Sequence, residues 1–166
     1  MAMGHGYHRE SETRLRGRTA ENGASTPVVT SAGALVEALK VMKAKRIAVV
    51  APYMKPLTEL VVDYIRNEGF EVGDWRALEI PDNLAVGRHD PQNLPDIVAG
   101  LDLTGVDVIV LSACVQMPSL PAIAKVEAMT GKPVVTAAVA TTYFMLKSLG
   151  LEPVVPGAGA LLSGAY

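Results

Sequence analysis

A single cysteine in 166 residues excludes an internal disulfide, and the chain has no C-x-x-C pair or His/Cys cluster to hold a metal. No stretch approaches the roughly 18 to 20 apolar residues that a membrane-crossing helix needs. The start, MAMGHGYHRE, carries no apolar signal region. Aromatics are 5% of residues, leaving few platforms on which bases could stack, and a net charge of −2 supplies no basic field for nucleic acid. What is present is a hydrophobic fraction of 49% against 19% charged, the balance of a chain with a well-buried core. A cytoplasmic enzyme domain, with neither nucleic acid nor membrane as partner, is the expectation.

The apolar pattern alternates between strand and helix. Charged Glu10 to Asn22 reads as a helix stopped by Gly23, and Pro27 to Thr30 as a short strand before a helix over Ala34 to Lys43. Arg46 to Ala51 (RIAVVA) reads as a buried strand, and Leu57 to Asn67 as an amphipathic helix ending at Gly69. Phe70 to Leu78 is a less hydrophobic strand, placed nearer a sheet edge. A loop over Ile80 to Pro91 leads into a short helix ending near Gly100. After the strand that contains Val106 to Leu111 come a helix to Met129, a strand over Pro133 to Thr136 and a helix over Thr141 to Leu149. Such alternation implies an α/β fold with a parallel sheet and right-handed crossovers.

The cysteine, Cys114, closes the stretch VDVIVLSAC, where β-branched residues crowd both faces as in a central parallel strand. Ser119, Leu120 and Pro121 follow as a capping residue with proline in the first turn, then AIAKVEAM at helical spacing. Cys114 is thus placed in a strand-to-helix turn, where backbone N–H groups and a helix N-terminus favour a thiolate, at the sheet edge where ligands bind. Two readings stand: a reactive thiol, or a small buried hydrophobe at a strand end.

A repeat adds to this. PVVTSAGALVEAL, from Pro27, returns as PVVTAAVATTYFML, from Pro133. Valine-rich strands recur by chance; read as a true repeat, the pair indicates two related α/β halves. The second copy follows a strand, Cys114 and a helix, whereas the first has only a helix before it. The expectation is that the sequence starts partway through a longer protein.

SACVQMPSLPA, APYMKPLT, LEIPDNLAVG, PVVTSAGALV and AGALLSG together resemble the maleate cis–trans isomerases of the aspartate/glutamate racemase superfamily. The resemblance implies a parallel Rossmann-like sheet: one complete domain over 41–132, with 1–40 and 133–166 as the remnants of a pseudo-symmetric partner domain. It also implies no metal or organic cofactor, a small dicarboxylate as substrate, association of like subunits, and a pair of cysteines. One attacks an alkene carbon as thiolate; the other, matched by Cys114, gives a proton to the neighbouring carbon. The first has no counterpart in these 166 residues. Tyr53, Asn83 and Val115 match substrate-contacting positions. Tyr53 and Asn83 each follow a strand end, so they can converge with Cys114, as neutral donors to carboxylates. Each also has an ordinary reading, Tyr53 as a loop aromatic beside Pro52 and Pro56, Asn83 as a turn residue in PDN.

Other residues are weaker candidates. His5, Tyr7 and His8 are expected to be solvated or to pack where a partner domain would sit, and His89 to be a loop residue before Asp90-Pro91. Asp82 is a base or a turn residue, Lys55 a steering charge or a solvated lysine, and Gln116 and Met117 pocket-lining residues. Gly157-Ala158-Gly159 lacks the βαβ context of a dinucleotide site. Two alternatives to isomerase remain: a racemase or decarboxylase of the same superfamily, and a folded remnant without activity.

Overall fold

A computed structural model describes residues 7–166. The elements in chain order are α1 (Tyr7–Glu21), α2 (Ser31–Val41), β1 (Arg46–Ala51), α3 (Lys55–Asn67), β2 (Glu71–Ala77), α4 (Asn83–Gly87), α5 (Leu94–Ala99), β3 (Val108–Ser112), α6 (Leu120–Thr130), β4 (Val134–Thr136) and α7 (Ala137–Ser148). Among the described residues the four strands pair in parallel, in the order β2-β1-β3-β4. Every residue of β3 is buried, as are Ile47 to Ala51 of β1, because helices cover both faces of a parallel sheet. Truncating Ile109, fully buried at the centre, costs about 2–5 kcal/mol by loss of transfer energy and the cavity left behind.

Local chemistry sets the boundaries. Asp107 interrupts the apolar stretch from Val106 to Leu111: its carboxylate accepts the backbone N–H groups of Lys45 (2.8 Å) and Arg46 (2.9 Å), so the strand begins at Val108. Those two charge-assisted bonds hold the Asp107 carboxyl below the usual carboxylate range. Pro56 and Pro121 sit in the first turns of α3 and α6, where a missing N–H costs nothing. β2 is an edge strand, as its weaker hydrophobicity implies.

Two expectations on the strands are corrected. The resemblance assigns Pro133 to Thr136 to the partner-domain remnant, apart from the sheet that holds β1, β2 and β3; instead Val134 and Val135 pair with Ile109 and Val110, because the free edge of β3 satisfies their backbone groups. Pro27 to Thr30 forms no strand and pairs with none of β1 to β4. The two copies nevertheless end alike. Thr30 caps α2 by accepting the Gly33 N–H, and Thr136 caps α7 by accepting the Val139 N–H, each at 3.1 Å. The helices that follow the two copies pack on each other.

His5 lies outside the described residues. His8 is buried, 4% exposed, and not solvated: its Nδ1 hydrogen-bonds the Tyr64 hydroxyl of α3. Arg9 grips the Glu68 carboxylate with both guanidinium nitrogens, at 3.1 and 2.6 Å, so α1 is clamped to the end of α3. Burial opposes ionisation of Glu68, but the Arg9 bonds and charge outweigh it and lower its pKa. None of the described helices is long and apolar enough to cross a membrane.

Candidate active site

Parallel strands bring their C-terminal ends to one edge, and the order β2-β1-β3-β4 reverses the direction of winding between β1 and β3. A crevice opens at such a switch point, because the connections after the two strands leave toward opposite sides. Tyr53 lies two residues beyond β1 and Cys114 two residues beyond β3, on either side of the switch point.

Three loops meet there and are tied to one another. Past β1 and β2, the chains zip together: Leu78 N–H donates to Ala51 (2.9 Å), Ile80 to Pro52 (3.0 Å) and Glu79 to the Tyr53 carbonyl (3.2 Å). The Tyr53 hydroxyl reaches the Ala113 carbonyl at 3.5 Å, linking the β1 loop to the β3 loop. Gln116 closes the ring by donating its side-chain N–H to the Asn83 carbonyl. The backbones bearing Tyr53, Asn83 and Cys114 are thereby held in register with one another.

The side chains differ in environment. Tyr53 and Cys114 are half-buried, Asn83 is exposed at the start of α4, and Val115 is 51% exposed. Burial first, and then a hydrogen bond and charge interaction with Cys114, push the Tyr53 phenol well above its ordinary pKa of 10.0. It is therefore a neutral hydrogen-bond donor beside the sulfur. Val115 also faces a neighbouring cleft of about 270 Å³, lined by Met117, Ser119, Thr136, Val139 and Leu162 among others.

Helix N-termini add positive potential at this edge. α3, α6 and α7 all start at this edge, and none carries an acidic residue in its first turn. Their N-terminal N–H groups and dipoles add positive potential without a titrating charge. Among the described residues no cluster of three or more His, Cys, Asp or Glu could hold a metal.

Several sequence candidates resolve. Both carboxylate oxygens of Asp82 cap α4, at 3.1 Å from Leu84 N and 3.2 Å from Ala85 N, so turn chemistry accounts for it. Lys55 is exposed in the first turn of α3, His89 is a half-buried loop residue after α4, and Met117 is buried. Ser119 precedes α6 as expected, but its side chain makes no capping bond. Sequence reasoning passed over Ser112, whose side chain bonds the Cys114 backbone twice. Its one signal was a lone hydroxyl closing an otherwise apolar strand.

The sequence matches the arylmalonate decarboxylase family over residues 4–162. The chain belongs to that family. Within it, a maleate isomerase of Pseudomonas putida is 82% identical over the whole chain, which covers 66% of that relative. The solved structure of the maleate isomerase Iso from another Pseudomonas putida strain, a variant crystallised with maleate, superimposes with a TM-score of 0.97 at 66% identity. That match covers 99% of this chain and 66% of the other. A Nocardia farcinica maleate cis–trans isomerase, a cysteine-to-serine mutant with a covalently bound succinylcysteine intermediate, matches at TM-score 0.94 and 45% identity. It covers 97% of this chain and 66% of the other. The chain thus spans just under two thirds of the length of these relatives. The parallel α/β architecture is common to all of them.

Proposed function

We propose that the protein is a maleate cis–trans isomerase in which Cys114 is the proton donor. The observation that carries this is the ring of three tied loops, which sets the sole thiol beside the Tyr53 phenol at the switch point of the sheet. The similarity to maleate isomerases, one of them crystallised with maleate, supplies the substrate.

The reaction needs a second thiolate, which these 166 residues do not contain. It adds to one alkene carbon of maleate, forming a C–S bond. The π pair moves to the neighbouring carbon, which takes the proton of the Cys114 thiol. The former double bond is now single and turns. The Cys114 thiolate then removes a proton from that carbon, the double bond re-forms, the C–S bond breaks and fumarate leaves. The saturated adduct is a succinyl thioether, the species named in the Nocardia farcinica structure. Proton transfer by a placed group contributes about 10²–10⁴-fold to such a step.

Binding follows from the same edge. Tyr53 and Asn83 donate to the carboxylates, Val115 contacts the substrate beside Cys114, and the N-termini of α3 and α6 favour the dianion. A neutral phenol suits this role, because an ionised one would repel the substrate. In the same proposal residues 41–132 form the unit that carries Cys114, and 1–40 and 133–166 lie toward a partner half. The packing of α2 on α7 supports that division, while the pairing of β4 makes 133–166 shared between the two. No organic cofactor, a cytoplasmic location and association of like subunits complete the proposal.

The test is maleate conversion followed by NMR, using a version extended by the segment that carries the second cysteine. Fumarate at catalytic rates is expected. No fumarate, with carbon dioxide released from an arylmalonate instead, would overturn the isomerase reading in favour of a decarboxylase.

A further inference from the structure

We propose that Ser112 is the positioning residue for Cys114, an assignment that rests on the reading of Cys114 as proton donor. Ser112 is the last residue of β3 and is fully buried, 0% exposed. Its hydroxyl donates to the Cys114 carbonyl at 2.6 Å and accepts the Cys114 N–H at 3.2 Å. One side chain thus satisfies both backbone polar groups of the cysteine at the point where the sheet no longer can, since β3 has just ended.

The geometry has a chemical consequence. Cys114 lies in irregular chain between β3 and α6, where nothing in regular secondary structure would hold it. Both bonds run to a residue anchored in the central strand, so the Cα–Cβ direction of Cys114 is fixed to the sheet and the sulfur keeps only its rotation about one bond. General acid catalysis depends on such placement: a displacement of about 1 Å at the reacting group can cost about 10²-fold. Alanine at 112 would keep the strand and lose both bonds; threonine would keep the hydroxyl. The serine also uses up the Cys114 N–H, so that amide is held for positioning and is not available to the substrate.

Because Cys114 is the sole cysteine, alkylation of this chain by iodoacetamide reports on it alone. Ser112→Ala is expected to raise the alkylation rate several-fold, as the half-buried thiol gains freedom and access, and Ser112→Thr to restore it. Thr30→Ala, which removes a hydroxyl bonded to Glu12 and Gly33, serves as the stability control. It should lower the melting temperature and leave the thiol rate unchanged. Equal rates in the parent chain and Ser112→Ala would overturn the proposal. Amide exchange in the unmodified chain tests it without any variant that must fold: the Cys114 N–H should be protected relative to neighbouring loop amides, and exchange at the free-loop rate would overturn it. None of these readings requires turnover, so they stand or fall apart from the isomerase proposal.

Discussion

Replacing Tyr53 by phenylalanine removes one hydroxyl and keeps the ring, which separates the chemistry of the phenol from its packing. The bond to the Ala113 carbonyl is 3.5 Å long, at the limit of a useful hydrogen bond, so its loss should cost less than about 1 kcal/mol of stability. Its role toward a charged partner is larger. A hydrogen bond to a carboxylate or to the Cys114 thiolate is worth about 1.5–3 kcal/mol, and at about 1.4 kcal/mol per decade this is a roughly 10- to 150-fold loss in kcat/KM. The phenol's pKa is raised above 10.0 by burial and by Cys114, so it stays a neutral donor throughout the assay range. The deficit should therefore be flat with pH between about 6 and 9. Initial rates of fumarate formation by the extended protein, measured across that range for both forms, provide the check. A loss smaller than about threefold, or a deficit confined to alkaline pH, would refute the reasoning, the second because it would require an ionising tyrosine.

Other outcomes follow from the same contacts. The chain of 166 residues alone should form no detectable fumarate from maleate by NMR, because it brings one thiol to a two-thiol reaction. Both Asp107 and Glu68 are held below their ordinary pKa, so their contribution is present above it and lost as pH falls. The melting temperature should therefore fall as pH drops from the ordinary carboxylate range through the depressed values, and Asp107→Asn should flatten that acid limb. Burial raises Tyr53 and Tyr64, so stability should decline as pH rises past about 10, less steeply in Tyr53→Phe, as followed by circular dichroism. Gly159 has φ +86°, and a Cβ there would lie 2.6 Å from the Ile123 side chain. Gly159→Ala should cost about 1–3 kcal/mol in chemical denaturation, loosening the tail that Glu127 holds through Ala160 N–H.

The strands of the sheet were legible wherever the residues alone decide. RIAVVA is β1 to the residue, since a short β-branched apolar run set between Lys45 and Pro52 reads as a buried strand. The PVVT pair shows the limit. The same tetrapeptide is β4 at Pro133 and irregular at Pro27, because strand formation depends on a neighbouring edge that no local sequence records. What the copies share, the threonine cap, is the part that is local. His8 was illegible for a related reason: its burial depends on Tyr64, fifty-six residues away. At the candidate site, Cys114 and Tyr53 could be found as chemistry-bearing residues just past strand ends. The ties that gather their loops could not, since Gln116 to Asn83 and Tyr53 to Ala113 are long-range bonds from unremarkable positions.

The central claim is that Cys114 supplies the proton, and Cys114→Ser in the extended protein tests it most directly. Serine keeps the shape and hydrogen-bonding capacity of the side chain but is a far poorer acid at neutral pH. With the fold verified by circular dichroism, fumarate formation should fall by about 10²–10⁴-fold. Isomerisation at a rate near that of the parent would show that another group is the acid.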